Sequence, residues 1–147
     1  MKALSRGFTL IEMLITLAVL GILTAIGVFN FQSFTAQQRV NEAQQVLAQT
    51  LNRARGEARK TSTNQMLTWT SNSISINGKI VNIPNGVTLS TSDFSTGLGY
   101  SAPYGRTIRT TGAMLNSGGI FTLSGMMGKG ARVKIIGVTG KVIRDAL

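Results

Sequence analysis
The chain has 147 residues, about one domain's worth, with 15 Lys and Arg against 5 Asp and Glu. It contains no Cys and no His, which excludes disulfide staples and removes the usual transition-metal ligands and the commonest general base. With Asp93 and Asp145 far apart in sequence, no enzyme, metal site or other cofactor is expected. The basic excess either favours polyanions, meaning nucleic acid or an anionic membrane surface, or serves solubility alone.

The first element is a short basic leader, residues 1–7, in which Lys2 and Arg6 have no acid nearby. At Gly7-Phe8 it joins an apolar run broken by one early carboxylate, Glu12, and from Met13 to Phe29 there is no charge and no Pro. With Phe8 to Ile11 in front, the run can cross a bilayer as one helix, which takes about 20 residues. A carboxylate inside such a helix costs on the order of 2.5–3.5 kcal/mol at the bilayer centre. A free amine made by cutting after Gly7 is the natural cation to offset that cost. A secretory signal has an apolar core of only about 7–15 residues, and a plain single-span anchor leaves Glu12 without a purpose. The cationic flank predicts a cytoplasmic N-terminus, with everything after the span on the far side of the membrane.

The residues Gly7-Phe8-Thr9-Leu10-Ile11-Glu12-Met13-Leu14 resemble the processing site of type IV pilins and of the related pseudopilins of type II secretion. The resemblance implies that a membrane-embedded prepilin peptidase cuts between Gly7 and Phe8 and methylates the new N-terminus at Phe8. It also implies that Glu12 pairs with the N-terminal amine of a neighbouring subunit during assembly. Many major pilins carry a kinking Pro where this chain has Phe29.

The helix is expected to continue beyond the membrane. From Phe31 to Lys60 there is no Pro, and Gly56 is the one Gly. Ala36, Val40, Ala43, Leu47, Leu51, Ala54 and Ala58 recur at steps of three and four and line one helical face. Counted from Phe8, the helix would hold about 52 residues and extend roughly 78 Å at 1.5 Å per residue. Residues 8–31 form its transmembrane and assembly half, and residues 32–60 its amphipathic half. Arg53, Arg55, Arg59 and Lys60 gather at its end, where cations offset the helix dipole by about 0.3–1 kcal/mol each.

After Lys60 the composition turns to Ser, Thr, Asn, Gly and β-branched residues, which marks residues 61–147 as a head domain. Strands are predicted at Met66–Thr70, Ser73–Ile76, Lys79–Ile83, Gly86–Ser90, Ile120–Ser124, Arg132–Val138 and Lys141–Arg144. The Asn77-Gly78 pair is the strongest hairpin signal, and Thr139-Gly140 closes a second hairpin. Thr91–Gly105, rich in Ser, Gly and Tyr, reads as a long loop. The expected fold class is α+β: a long N-terminal helix packed on a small antiparallel sheet, which the resemblance identifies with the pilin fold. At the helix end, Leu51, Ala54, Arg55, Glu57 and Ala58 match the L-x-x-A-R-x-E-A pattern of one branch. That branch holds the H-type minor pseudopilins and the T-type minor fimbrial pilins.

The C-terminal hairpin carries Lys129, Arg132, Lys134, Lys141 and Arg144, with Asp145 as the one acid. Strand alternation puts Arg132 and Lys134 on one face and Val133 and Ile135 on the other. Such a ribbon is either a DNA-contacting surface, since counterion release supplies non-specific affinity, or the solvated face of an edge hairpin, where Lys discourages aggregation. Some T-type minor pilins bind DNA through a C-terminal Gly-Arg-x-Arg tail. The nearest equivalent is Gly140-Lys141-Val142-Ile143-Arg144, which lacks the first Arg and has different spacing. Arg106 and Arg109, near Tyr100 and Tyr104, either form a second candidate surface, because rings can stack on bases, or flank two tyrosines that simply pack the Gly-rich loop. The resulting expectation is a bacterial inner-membrane, single-pass minor pilin or pseudopilin, assembled with other pilins, with contact to double-stranded DNA during uptake left open between the two readings of the basic ribbon. A type II secretion pseudopilin and a membrane-tethered binding module that never polymerises are the alternatives.

Overall fold
Helix α1 occupies Leu10–Thr61 in the computed structural model, which describes residues 8–94 and 97–146. The leader 1–7 with Gly7, two residues inside the 91–105 segment and the last residue of the head lie outside the described residues. The chain divides into two units, with the boundary between Thr35 and Ala36. In the first unit the apolar side chains stand exposed along the helix, Leu10 at 82% and Phe34 at 60%. By length and composition this helix is able to cross a membrane.

The second unit begins on the amphipathic half of α1, and the predicted stripe is its buried face. Ala36, Val40, Ala43, Leu47, Leu51, Ala54 and Ala58 are all buried, joined by Ala48 and Thr50. The strands of the head are β1 (Gln65–Trp69), β2 (Ser73–Ile76), β3 (Lys79–Asn82), β4 (Val87–Thr91), β5 (Leu98–Ser101), β6 (Arg106–Ile108), β7 (Gly119–Gly125), β8 (Gly130–Ile136) and β9 (Lys141–Ala146). They form two antiparallel sheets rather than the expected one. A five-stranded sheet has the order β3-β2-β1-β5-β6, and a four-stranded sheet has the order β4-β7-β8-β9. One hydrophobic core joins them, with Val40, Leu47 and Leu51 of α1 packed among Leu67, Ile74, Leu98, Phe121, Leu123 and Val133.

Between β2 and β3 the Asn77-Gly78 turn forms as predicted, with φ of 46° and 86°. Both residues sit in the left-handed region that a two-residue hairpin of this type demands, which Asn tolerates and Gly adopts at no cost. The Asn77 side chain then does a second job. Its Oδ1 accepts from the Met66 N–H at 2.9 Å, and its Nδ2 donates to Gln65 Oε1 at 2.8 Å. Because Gln65 is buried, this pairing satisfies an amide that water does not reach.

The predicted loop Thr91–Gly105 is corrected by the structure. Asp93 Oδ2 accepts from the Ile120 N–H at 2.8 Å, Phe94 is buried, and Leu98–Ser101 is strand β5, paired with both β1 and β6. Leu98, Gly99 and Tyr100 are all buried. A strand covered on both faces shows no alternation, so its signature is absent from the sequence. Strand β6 was likewise not expected. Elsewhere the predicted strands form with their ends shifted by a residue or two, and the last extends to Ala146.

The two sheets meet at an aromatic cluster. Trp69 of β1, Phe94 and Phe121 of β7 lie with ring centroids 5.0–6.2 Å apart, two of the three contacts edge-to-face. A second tie is the buried Thr107 hydroxyl of β6, which donates to the Gly137 carbonyl beyond β8. The α1 side is anchored by Gln44, whose Nε2 donates to the carbonyls of Arg132 at 2.9 Å and Asp145 at 2.8 Å.

Candidate functional site
At the start of α1, Glu12 is tied to Thr9. The Thr9 N–H and hydroxyl donate to Glu12 Oε2 at 2.8 and 2.7 Å, and the Glu12 N–H returns to Thr9 Oγ1 at 3.3 Å. With Leu10 as the first helical residue, this is a reciprocal capping box, which satisfies free N–H groups at the helix start. The T-x-x-E spacing was present in the sequence and supplies a purpose for Glu12 that the single-anchor reading lacked. Phe8 is exposed at 73%, and its predicted processing partner Gly7 lies outside the described residues.

The predicted basic residues of the C-terminal hairpin divide between two faces. Cross-strand partners share a face in an antiparallel pair. The register pairs Lys134 with Ile143, Arg132 with Asp145 and Ile136 with Lys141, so Arg132, Lys134 and Lys141 stand together on the solvent side. Continued through β7 and β4, this surface carries Thr122, Ser124, Thr88 and Ser90. Arg144 is opposite Val133, which is fully buried, and therefore points to the α1 side, where it borders a groove with Gln45, Gln49 and Asn52. Lys129 lies in the turn before β8. Three of the five cations thus form one surface, and Asp145 sits across from one of them.

Around the tyrosines the structure separates what the sequence placed together. Tyr100 is fully buried and is a core residue rather than a stacking platform. Burial pushes its phenol well above the ordinary range, an effect that the nearby Arg55 charge only partly offsets. Tyr104 is 65% exposed, and the Arg106 guanidinium lies over its ring at 5.2 Å. Arg59 Nε donates to the Tyr104 carbonyl at 3.0 Å, and Arg53 pairs with Glu57 at 2.8 Å on the exposed helix surface. Arg109 follows the end of β6. Among the described residues no group of His, Cys, Asp and Glu is placed to hold a metal.

A long helix whose first half exposes apolar side chains and whose second half packs under two antiparallel sheets is the pilin architecture, and known proteins share these features. Residues 2–28 match the family described as the prokaryotic N-terminal methylation motif. The type IV major pilin protein PilE1 of Neisseria gonorrhoeae is 46% identical over 43 residues, 29% of this chain and 26% of that protein. The type IV major fimbrial protein FimA of Dichelobacter nodosus is 46% identical over 41 residues, 28% of this chain and 26% of that protein. The match therefore spans about a quarter of the length of these curated relatives. The crystal structure of the type IV minor pilin FimU of Pseudomonas aeruginosa superposes with a TM-score of 0.60 at 14% identity, covering 76% of this chain and 92% of that one. The head thus has the pilin fold.

Proposed function
We propose that the protein is a minor subunit of a type IV pilus with a structural, non-enzymatic role. It is cut by prepilin peptidase between Gly7 and Phe8, methylated at Phe8, and held in the inner membrane by the apolar half of α1. From there it assembles with other pilins, its N-terminus cytoplasmic and its head periplasmic or extracellular. The observation that carries this reading is the match of residues 2–28 to the methylation motif, running directly into a helix whose apolar side chains are exposed. The FimU likeness supports a minor rather than a major subunit. Exposed apolar surface on this scale needs lipid or a neighbouring helix to cover it.

The test uses Glu12. Glutamine at the same position still completes a capping box but carries no charge to pair with a neighbour's amine. Glu12→Gln is expected to insert into the membrane and to be lost from sheared filaments, as is Glu12→Ala. Normal incorporation of Glu12→Gln would show that the cap, not charge pairing, is what Glu12 contributes. Mass spectrometry of the assembled protein is expected to find an N-methylated Phe8 terminus, and a mature product beginning at Met1 would overturn the reading. Recovery only from periplasmic filaments of a secretion system would favour the pseudopilin alternative. A full membrane pool that never enters filaments would favour the tethered module.

A second reading, DNA contact during uptake, is favoured by the shared face of Arg132, Lys134 and Lys141. Phosphate contacts make such binding steeply salt-dependent. The full chain in detergent is expected to retard double-stranded DNA at low salt, with Arg132→Ala and Lys141→Ala each weakening it and Arg144→Ala leaving it nearly unchanged. Equal effects at Arg144 and Lys141 would count against this face as the contact surface.

A further inference from the structure
We infer that the cleft at the C-terminal end of α1 binds a phosphate group. The cleft has a volume of about 480 Å³ and is walled by segments remote in sequence: Arg55 and Arg59 of α1, Tyr104 and Arg106 around the start of β6, and Thr139 of the β8–β9 turn. Three guanidinium groups meet there, and none of the described residues lining the cleft is acidic. The helix dipole accounts for cations on α1, but not for the arrival of Arg106 from a different element.

The arrangement is built rather than incidental. Arg59 Nε is fixed on the Tyr104 carbonyl at 3.0 Å, and Arg106 is held over the Tyr104 ring. Gly105, at φ 63°, lets the turn lie flat on the helix, because a Cβ there would stand 2.9 Å from Arg55 Cγ and 3.2 Å from Arg59 Nε. Arg55 Nε and the Tyr100 hydroxyl are buried, and among the described residues neither has a hydrogen-bond partner. A partly desolvated guanidinium attracts an anion more strongly than one in bulk water, because the charge is less screened. The planar fork of Arg matches the oxygens of phosphate two at a time. A carboxylate brings one charge and two oxygens to three cations, whereas a phosphate brings more of both.

The test is calorimetric titration of the detergent-solubilised full chain at low salt with inorganic phosphate, glycerol 3-phosphate, thymidine 5′-monophosphate and acetate. The phosphate probes are expected to bind, and acetate to bind far more weakly. Arg106→Ala and Arg59→Ala should each weaken phosphate binding about tenfold, the loss expected for one charge-assisted contact, while Arg132→Ala on the sheet face should not. Tighter binding of the glycerol ester assigns the source to a lipid headgroup, tighter binding of the nucleotide assigns it to nucleic acid, and equality assigns the site to the phosphate group alone. Acetate binding as well as phosphate, no heat at about 10 mM phosphate, or phosphate binding indifferent to Arg106→Ala would each overturn the inference. Arg106 is solvent-exposed, so its variant is expected to melt like the parent and keeps the test decisive even if Arg59→Ala unfolds.

Discussion

Replacing Phe121 with alanine is expected to cost the head about 3–5 kcal/mol and to lower its melting temperature by on the order of 15 °C or more. Phe121 is fully buried and touches both other rings of the cluster, Phe94 at 5.0 Å and Trp69 at 5.2 Å between centroids. Trp69 belongs to the five-stranded sheet and Phe121 to the four-stranded sheet. Removing the ring therefore leaves a void at the joint between the sheets, where neighbouring strands are held by their own ladders and collapse poorly onto it. The lost edge-to-face geometry adds about 0.5–1.5 kcal/mol to the area term. Ile80→Ala is the control: Ile80 is large and apolar but exposed, so its loss should change stability by about 0.5 kcal/mol or less. Thermal melts followed by circular dichroism decide the matter. Similar small shifts for both variants would mean that the aromatic cluster does not join the sheets.

The second large effect is expected at Asn77, where two contributions are separable by choice of substituent. Asn77→Gly keeps the left-handed backbone but removes both side-chain hydrogen bonds and leaves the Gln65 amide oxygen without its partner. That should cost about 1–3 kcal/mol. Asn77→Ala loses the same bonds and also strains a position whose φ is 46°, which adds about 1–2 kcal/mol. Urea denaturation should show alanine worse than glycine, with both below the parent at an unchanged dependence on denaturant. Adding Gln65→Ala to Asn77→Gly should cost less than the sum of the two single changes, because the partners share one bond. A glycine variant as stable as the parent would reduce Asn77 to a turn residue and nothing more.

Asn77 also marks how far the sequence could be read. The Asn-Gly turn and the register it sets were legible, because both follow from the backbone preferences of two adjacent residues. The bond to Gln65 was not, since it reaches across to β1. The same division recurs at Glu12. Its capping box with Thr9 lies within three residues and was there to be read in the spacing. For the candidate sites the split is sharper. Alternation along β8 correctly set Arg132 and Lys134 apart from Val133 and Ile135. The side taken by Arg144 depended on the β8–β9 register, which pairs it with Val133. Tyr100 and Tyr104, four residues apart, end in the core and in solvent, a difference that composition does not encode.

By itself the sequence determined what is decided between near neighbours along the chain: the uncharged run from Met13 to Phe29 in α1, the three-four stripe from Ala36 to Ala58 that its second half buries, the Asn77-Gly78 hairpin and the alternating strands near the C-terminus. The tertiary structure alone decided that the head has two sheets, that Leu98–Ser101 is a strand rather than loop, and that Arg55, Arg59 and Arg106 surround one cleft. The physical reason is range. Periodicity and turn geometry act between neighbours and leave a pattern in the residues themselves. Burial on both faces of a strand, and the meeting of charges from distant segments, are properties of the partners that long-range pairing supplies.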